Sequence, residues 1–274
     1  MKKRVDIWLV ELGHAASREK ARRAVLAGQV FCGTGRIVKA SQNLDAVAAA
    51  RLLIRQKDPA VSRAYYKLAH ALRVFSLSVQ GLVCLDVGSS TGGFTQKLLE
   101  AGAQTVYAVD CGTNQLDFRL RRDPRVVVME KTNARYLTPD MFPLRPTLAV
   151  MDVSFISSTL LIPVLGEVHD IAECVILIKP QFEAGKEQMG KGGVIRDPDL
   201  WRGVLAAVIK ENAASCFQCL GLAVSPVIGT KGNIEFLGFF RKNGAAKYDV
   251  DLAMKEAVSL AAGQGATLTP GMLP

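Results

Sequence analysis

Lys67, Asp152, Lys179 and Glu235 are the residues of this chain whose types and placement could do chemistry. Asp152 and Lys179 each stop a short apolar run. Polar groups that end buried strands at their carboxyl edge point into the ligand crevice of an open α/β sheet. Glu235 stands at the edge of the last such run, after the turn-forming stretch 229–233, and Lys67 lies on a helix leading into the first. A lysine flanked by cations and carboxylates is either partly neutral or a charged hydrogen-bond donor, and residue types leave both open. Taken singly, each of the four also fits a solvated or salt-bridged surface residue.

The stretch 82–94, LVCLDVGSSTGGF, indicates what the crevice would hold. Its first six residues form a short apolar run, the signature of a strand buried on both faces. Gly88, Ser89, Ser90, Thr91, Gly92, Gly93 and Phe94 then form a tight turn, with a helix expected at 95–101. A dinucleotide fingerprint would put its second glycine where Ser90 stands, since pyrophosphate presses on the chain there. No Gly-Lys-Ser/Thr closes a Walker-type loop either. A nucleoside without phosphates fits better, and S-adenosylmethionine is the common one. An α/β turn that keeps its glycines for packing is the alternative. Asp110, 22 residues after Gly88, ends the next strand and is placed to hold a ribose diol.

Positioning these groups takes a parallel, doubly wound α/β sheet of Rossmann-like type. Apolar runs predict strands at 82–87, 105–109, 126–130, 147–151 and 174–178, with helices between them, and two later strands at 220–224 and 234–240. Helices are predicted at 62–75, 198–213 and 250–262. The segment 185–193 is too glycine-rich for either element; it reads as a mobile loop near the site or as a plain surface connection.

A small α+β module precedes the sheet. Helices are predicted at 4–12 and 18–27, the second capped by Ser17 and ended by Gly28, then a hairpin of 30–32 and 37–38 around a turn at 33–35. On the second helix Arg18, Lys20, Arg22 and Arg23 face outward, and Ala21, Ala24, Val25 and Leu26 supply the inner face. The net charge is +9, and residues 1–63 carry +8 of it, with thirteen Lys and Arg against five Asp and Glu. Such asymmetry points to a polyanion, and arginines three to five apart on one helix can follow successive phosphates. A polar, proline-broken stretch at 56–59 marks the join. The expected domains are therefore 1–58, a linker 59–63, the sheet domain 64–246 and a tail 247–274.

Composition narrows the classes. No apolar run approaches the ~18 residues that span a bilayer, and no long apolar segment follows the basic N-terminus, so neither a membrane span nor a secretory signal is expected. Six scattered cysteines, several inside apolar runs, suggest reduced thiols in a cytoplasmic protein. Cys216 and Cys219 form a lone C-x-x-C without a second pair, so no metal is expected.

The segment 5–44, with SREKARRAVLAGQV at 17–30, resembles the small RNA-binding fold named after ribosomal protein S-four. Lys67, Asp152, Lys179 and Glu235 around DVGSSTGG at 86–93 resemble the Lys-Asp-Lys-Glu tetrad of FtsJ-like RNA 2′-O-methyltransferases. Both modules together, over about 3–242, resemble the TlyA family, also called haemolysin A. The likeness is densest in VDCGTNQL at 109–116, DVSFI at 152–156, KPQFEAG at 179–185, GKGGVIRD at 190–197 and KGNIEF at 231–236. It departs at Ala64-Tyr-Tyr66, where the family usually has glycines. The resemblance implies methylation of ribose in ribosomal RNA, at cytidine, with ribosomal RNA or ribosomal subunits as partner. It implies that Lys179 contacts the 2′-oxygen while Asp152 and Glu235 orient Lys179 and Lys67. It further implies that residues 88–94, Asp110 and Asn133 hold S-adenosylmethionine, and that Arg4, Arg18, Lys20, Arg22 and Arg23 face the RNA. The family's older name leaves a membrane-acting haemolysin as a second reading, against which stand the missing insertion segment and export signal. An RNA-binding protein without methyl transfer is a third, and the intact Asp152, Lys179 and Glu235 count against it.

Overall fold

Apolar residues one helical turn apart shape the N-terminal unit. Strand β1 (Lys3–Arg4) runs into helix α1 (Val5–Glu11), and α2 (Arg18–Leu26) begins where the Ser17 hydroxyl accepts from the Lys20 amide at 3.2 Å. Val5 and Leu9 of α1 meet Ala21 and Val25 of α2, and all four are buried. Strands β2 (Val30–Cys32), β3 (Gly35–Arg36) and β4 (Asn43–Leu44), helix α3 (Ala46–Ala49) and strand β5 (Leu52–Ile54) complete the unit. β2 is the centre of an antiparallel sheet ordered β3-β2-β5, and β1 pairs with β4. Two expectations are corrected. The partner of β2 is Gly35–Arg36, not 37–38, because the turn is shorter; Ile37 still donates to the Val30 carbonyl at 2.9 Å and is buried in the core, while Val38 is exposed. Leu26 lies on the outer side of α2, 82% exposed, since the buried stripe is carried by Ala21 and Val25 alone.

This computed structural model describes residues 2–54, 59–168, 170–184, 193–245 and 249–264, and divides at residue 59 into two compact units. The glycine-rich segment at 185–192 and residues 56–58 of the join lie outside the described residues.

The second unit is a three-layer α/β structure. In chain order it comprises α4 (Ala64–Val74), β6 (Val83–Val87), α5 (Gly93–Glu100), β7 (Thr105–Val109), α6 (Phe118–Arg121), β8 (Val126–Met129), β9 (Leu148–Met151), α7 (Ile162–Glu167), β10 (Glu173–Ile178), α8 (Pro180–Glu183), α9 (Pro198–Ala214), β11 (Phe217–Val224), β12 (Phe236–Lys242) and α10 (Val250–Gln264). The sheet order is β11-β12-β10-β9-β6-β7-β8. The five strands from β10 to β8 are parallel, whereas β12 runs antiparallel between β10 and β11. Alternate residues of each strand enter opposite layers. Leu85, Val87, Tyr107 and Val109 join the core under α7, α9 and α10, and Cys84, Val106 and Ala108 join the core under α4 and α5. Burial on both faces is why these strands read as continuous apolar runs. Phe240 of β12 is fully buried in the larger core. Its truncation, Phe240→Ala, is expected to cost about 3–5 kcal/mol, read as a fall in the urea midpoint with an unchanged slope.

Candidate active site

Two neighbouring strands bring the site together. β6 and β9 run in parallel with Val87 opposite Met151, so Gly88 and Asp152 leave the sheet side by side. The approach is close enough that a Cβ on Gly88, whose φ is +83°, would lie 2.7 Å from the Asp152 carbonyl oxygen. Only glycine meets both demands without strain. Above this point lie two cavities that share Gly88, Ser90, Asp152 and Ser154 as a common lip. One, of about 270 Å³, is lined by Ser89, Thr91 and Phe94 together with Lys67, Lys179 and Glu235. The other, of about 350 Å³, is lined by Asp110, Asn133 and the loop from Asp152 to Ile156. Asp110 is fixed by the turn itself, its Oδ2 accepting from the Ser90 amide at 2.8 Å and its Oδ1 from the Gly112 amide at 2.7 Å. Asn133 accepts from the Arg135 amide at 3.1 Å and caps a short 3₁₀ turn. Gly92 and Gly93 line neither cavity. A side chain on Gly92 would collide with Leu116 and Leu120, and one on Gly93 would meet the Tyr65 amide at 2.8 Å, so both glycines serve packing around α5.

The four charged residues form two separate couples in the first cavity. Lys179 Nζ lies 2.6 Å from Asp152 Oδ1, and also donates to the Val153 carbonyl at 2.8 Å and the Ser154 hydroxyl at 3.0 Å. Lys67 Nζ donates to Glu235 Oε2 at 2.6 Å. Lys67, Lys179 and Glu235 are buried, and Asp152 is nearly so. Local sequence explains the placement. β10 and β9 are adjacent and parallel, so Asp152 and Lys179 emerge at the same edge. Pro180 opens α8 and holds Lys179 in extended backbone, φ −111° and ψ 101°. Gly229 leaves room for Glu235, whose Oε1 would collide with any side chain there.

Two further residues escaped the sequence reading. Asp86, within the turn motif, is fully buried; its Oδ2 accepts from the Thr95 hydroxyl at 2.6 Å, and its Oδ1 has no hydrogen-bond partner in the structure. Burial, and then the charges of Asp152 and Asp110, push this carboxyl up to about 7. Strand-end position singles out Asp110 and Asp152, whereas Asp86 lies inside its strand. Phe155 is 91% exposed at the rim of the second cavity, held in left-handed backbone at φ +65° and packed against Phe182 at 5.1 Å between ring centres. An aromatic ring kept in water on strained backbone suits the stacking of an unpaired base.

The basic residues of the N-terminal unit fall into two groups. Arg4, Arg18 and Arg22 converge on the buried Asp6. Arg23 instead pairs with Glu19 on the exposed side of α2, and Lys20 is exposed.

A cationic nucleoside such as S-adenosylmethionine fits across the lip that the two cavities share. The Gly88 turn offers bare backbone, and Asp110 offers a carboxylate to a hydroxyl pair. No group of three His, Cys, Asp or Glu side chains placed to hold a metal occurs among the described residues.

Comparison with known proteins agrees with this geometry. The FtsJ-like methyltransferase family matches residues 60–242, and the S4 domain matches residues 3–46. The chain is 47% identical, over 86% of its length and 84% of the relative's, to YqxC of Bacillus subtilis, a candidate rRNA methyltransferase. It is 42% identical to the 16S/23S rRNA (cytidine-2′-O)-methyltransferase TlyA of Mycobacterium tuberculosis, over 87% of this chain and 89% of that one. Among solved structures, a candidate hemolysin of Streptococcus thermophilus superimposes with a TM-score of 0.74 at 40% identity, covering 96% of both chains. The same two-module chain thus carries both names, and hemolysin marks the family rather than a different fold. Family match, fold and site geometry agree: this chain belongs to the TlyA family of FtsJ-like, S-adenosylmethionine-dependent methyltransferases.

Proposed function

We infer that this enzyme methylates the 2′-oxygen of a ribose, at cytidine, in ribosomal RNA, and that it works in the cytoplasm on ribosomal RNA or a ribosomal subunit. The observation that carries this reading is the pair of buried lysine–carboxylate couples in the cavity that shares its lip with the glycine turn. A ribose hydroxyl is a poor nucleophile, so an enzyme must align it and deal with its proton. When bound, S-adenosylmethionine supplies an electrophilic methyl group; residues 88–91, Phe94, Asp110 and Asn133 are the groups placed to hold it. Lys179 contacts the 2′-oxygen. Its three neighbours in the structure, Asp152, Val153 O and Ser154 Oγ, are all able to accept, which suits an ammonium with three donors. Turning one donor from Ser154 to the substrate oxygen steadies the negative charge that develops there. Asp152 keeps Nζ aimed and, as the nearest carboxylate, receives the displaced proton at the couple. Lys67, held by Glu235, closes the other side of the cavity. Phe155 offers the ring on which the unpaired base stacks.

Direct membrane action finds no comparable support: no helix among the described residues is long and apolar enough to cross a membrane. Liposome leakage caused by the purified protein would revive that alternative, and cofactor binding without methyl transfer would revive the inactive binder.

Two predictions follow from the geometry. Gly88→Ala forces the turn away from Asp152, so S-adenosylhomocysteine affinity measured by calorimetry falls about tenfold or more, the equivalent of ~1.4 kcal/mol. Affinity within about twofold of wild type would remove Gly88 from the cofactor site. Lys179→Ala and Lys179→Arg each lower the single-turnover rate of labelled methyl transfer to ribosomal RNA by roughly 10²–10⁴-fold while sparing cofactor affinity. A planar guanidinium cannot replace the point donor. Retention of more than about a tenth of the rate in Lys179→Arg, a loss below what a positioned acid–base group contributes, would pass the central role to Lys67.

A further inference from the structure

The three arginines that converge on Asp6 come from two elements of the small unit. Arg4 ends β1, Arg18 opens α2, and Arg22 follows one turn later. Asp6, in the first turn of α1, has no exposed surface. Its Oδ1 accepts from Arg4 Nε at 3.0 Å; its Oδ2 accepts from Arg4 Nη2 at 3.1 Å, Arg22 Nε at 3.0 Å and Arg18 Nη2 at 3.2 Å. Four such bonds, three of them gathered on Oδ2, match in number the roughly four acceptor sites of a carboxylate. Burial alone would raise this carboxyl, yet the bonds from Arg4, Arg22 and Arg18 hold it at about 2, so it stays ionised through the neutral range. The arginine side chains remain 38%, 51% and 52% exposed for Arg4, Arg18 and Arg22. Each guanidinium has five N–H donors in a rigid fork, and the carboxylate takes only one or two from each. The cluster therefore keeps a net positive charge and most of its donors while losing its freedom to move.

We propose that Asp6 is a positioning residue for RNA recognition, which clamps Arg4, Arg18 and Arg22 into one phosphate-binding face before RNA arrives and itself touches no RNA. The proposal rests on the reading of the N-terminal unit as an RNA-binding module and deepens it. Three long cations brought together repel one another and would otherwise sample many rotamers. Ordering each such side chain at an interface costs affinity, and a clamp that orders them in advance removes that cost from binding. This argument reverses the sign that net charge alone gives. Removing the carboxylate makes the protein more positive, which by charge counting strengthens binding to a polyanion. Loss of the clamp weakens it.

The test is RNA affinity of the full chain, measured by fluorescence anisotropy with a ribosomal RNA transcript across a salt series. Asp6→Asn is expected to bind about tenfold or more weakly, with a shallower salt dependence because fewer phosphates are neutralised together. Unchanged or tighter binding by Asp6→Asn, with Arg18→Ala and Arg22→Ala both weakened, overturns the clamp and leaves the RNA-binding reading intact. Wild-type affinity in both arginine variants instead overturns that reading, and the clamp with it. A measurement on the wild-type protein covers the case in which Asp6→Asn does not fold. Arginine Nε–Hε resonances, assigned through Arg4→Lys and Arg22→Lys, should be resolved and slow to exchange with water in the RNA-free protein. If those resonances become protected only when RNA is added, the face is ordered by its ligand and Asp6 is not its clamp.

Discussion

The Lys179 ammonium lies 2.6 Å from Asp152 Oδ1, and both side chains are largely out of water. Burying either charge alone would cost several kcal/mol, so each residue makes the other tolerable. This mutual dependence constrains the sheet beneath. β9 and β10 must be adjacent, parallel and in register for an acid ending one to meet a lysine ending the other, and their pairing from Leu148–Glu173 to Met151–Ile176 provides that. The strand pair β6 and β9 then fixes Gly88 against the Asp152 carbonyl. The Lys179–Asp152 couple and the glycine turn are thus two consequences of the same three strands. The antiparallel strand β12 adds the second couple, since Glu235 lies immediately before it and reaches back to Lys67 on α4.

The two units use buried carboxylates in similar ways. In each, an aspartate takes bonds from cations: Asp152 holds one lysine, and Asp6 holds three arginines. Asp86 is the contrast. It has a hydroxyl for company instead of a cation, lies near two other acids, and is pushed up to about 7. A cation arriving at this edge would favour its ionised form.

The sheet was legible because its strands are buried on both faces, and an unbroken apolar run can be found without neighbours. The run at 105–109 coincides with β7, and the others are displaced by one to three residues at their ends. The short elements of the N-terminal unit were harder. A strand made of Gly35 and Arg36 has no apolar signature, and β1, β4 and β5 are two or three residues long. Leu26 misled because hydrophobicity does not say where a helical stripe ends. In the site, residue type and strand-end position were enough to single out Lys67, Asp152, Lys179 and Glu235, but not which lysine meets which carboxylate. The place of Gly92 and Gly93 in the turn suggests cofactor contacts, whereas their missing side chains face α6 and the start of α4. Asp6 could not be recognised at all, because a lone acid among basic residues gains its meaning only from the three arginines of β1 and α2 that converge on it.

The central claim is that the two couples and the glycine turn serve transfer of a methyl group to a ribose oxygen. Mass-spectrometric mapping of ribosomal RNA, isolated from cells lacking the enzyme and then incubated with the protein and S-adenosylmethionine, tests it most directly. The account predicts a new methyl group on the 2′-oxygen of cytidine, resistant to alkaline cleavage of the adjacent phosphodiester. A methyl group on a base nitrogen or carbon, or no new methyl on active ribosomal substrates, would contradict it.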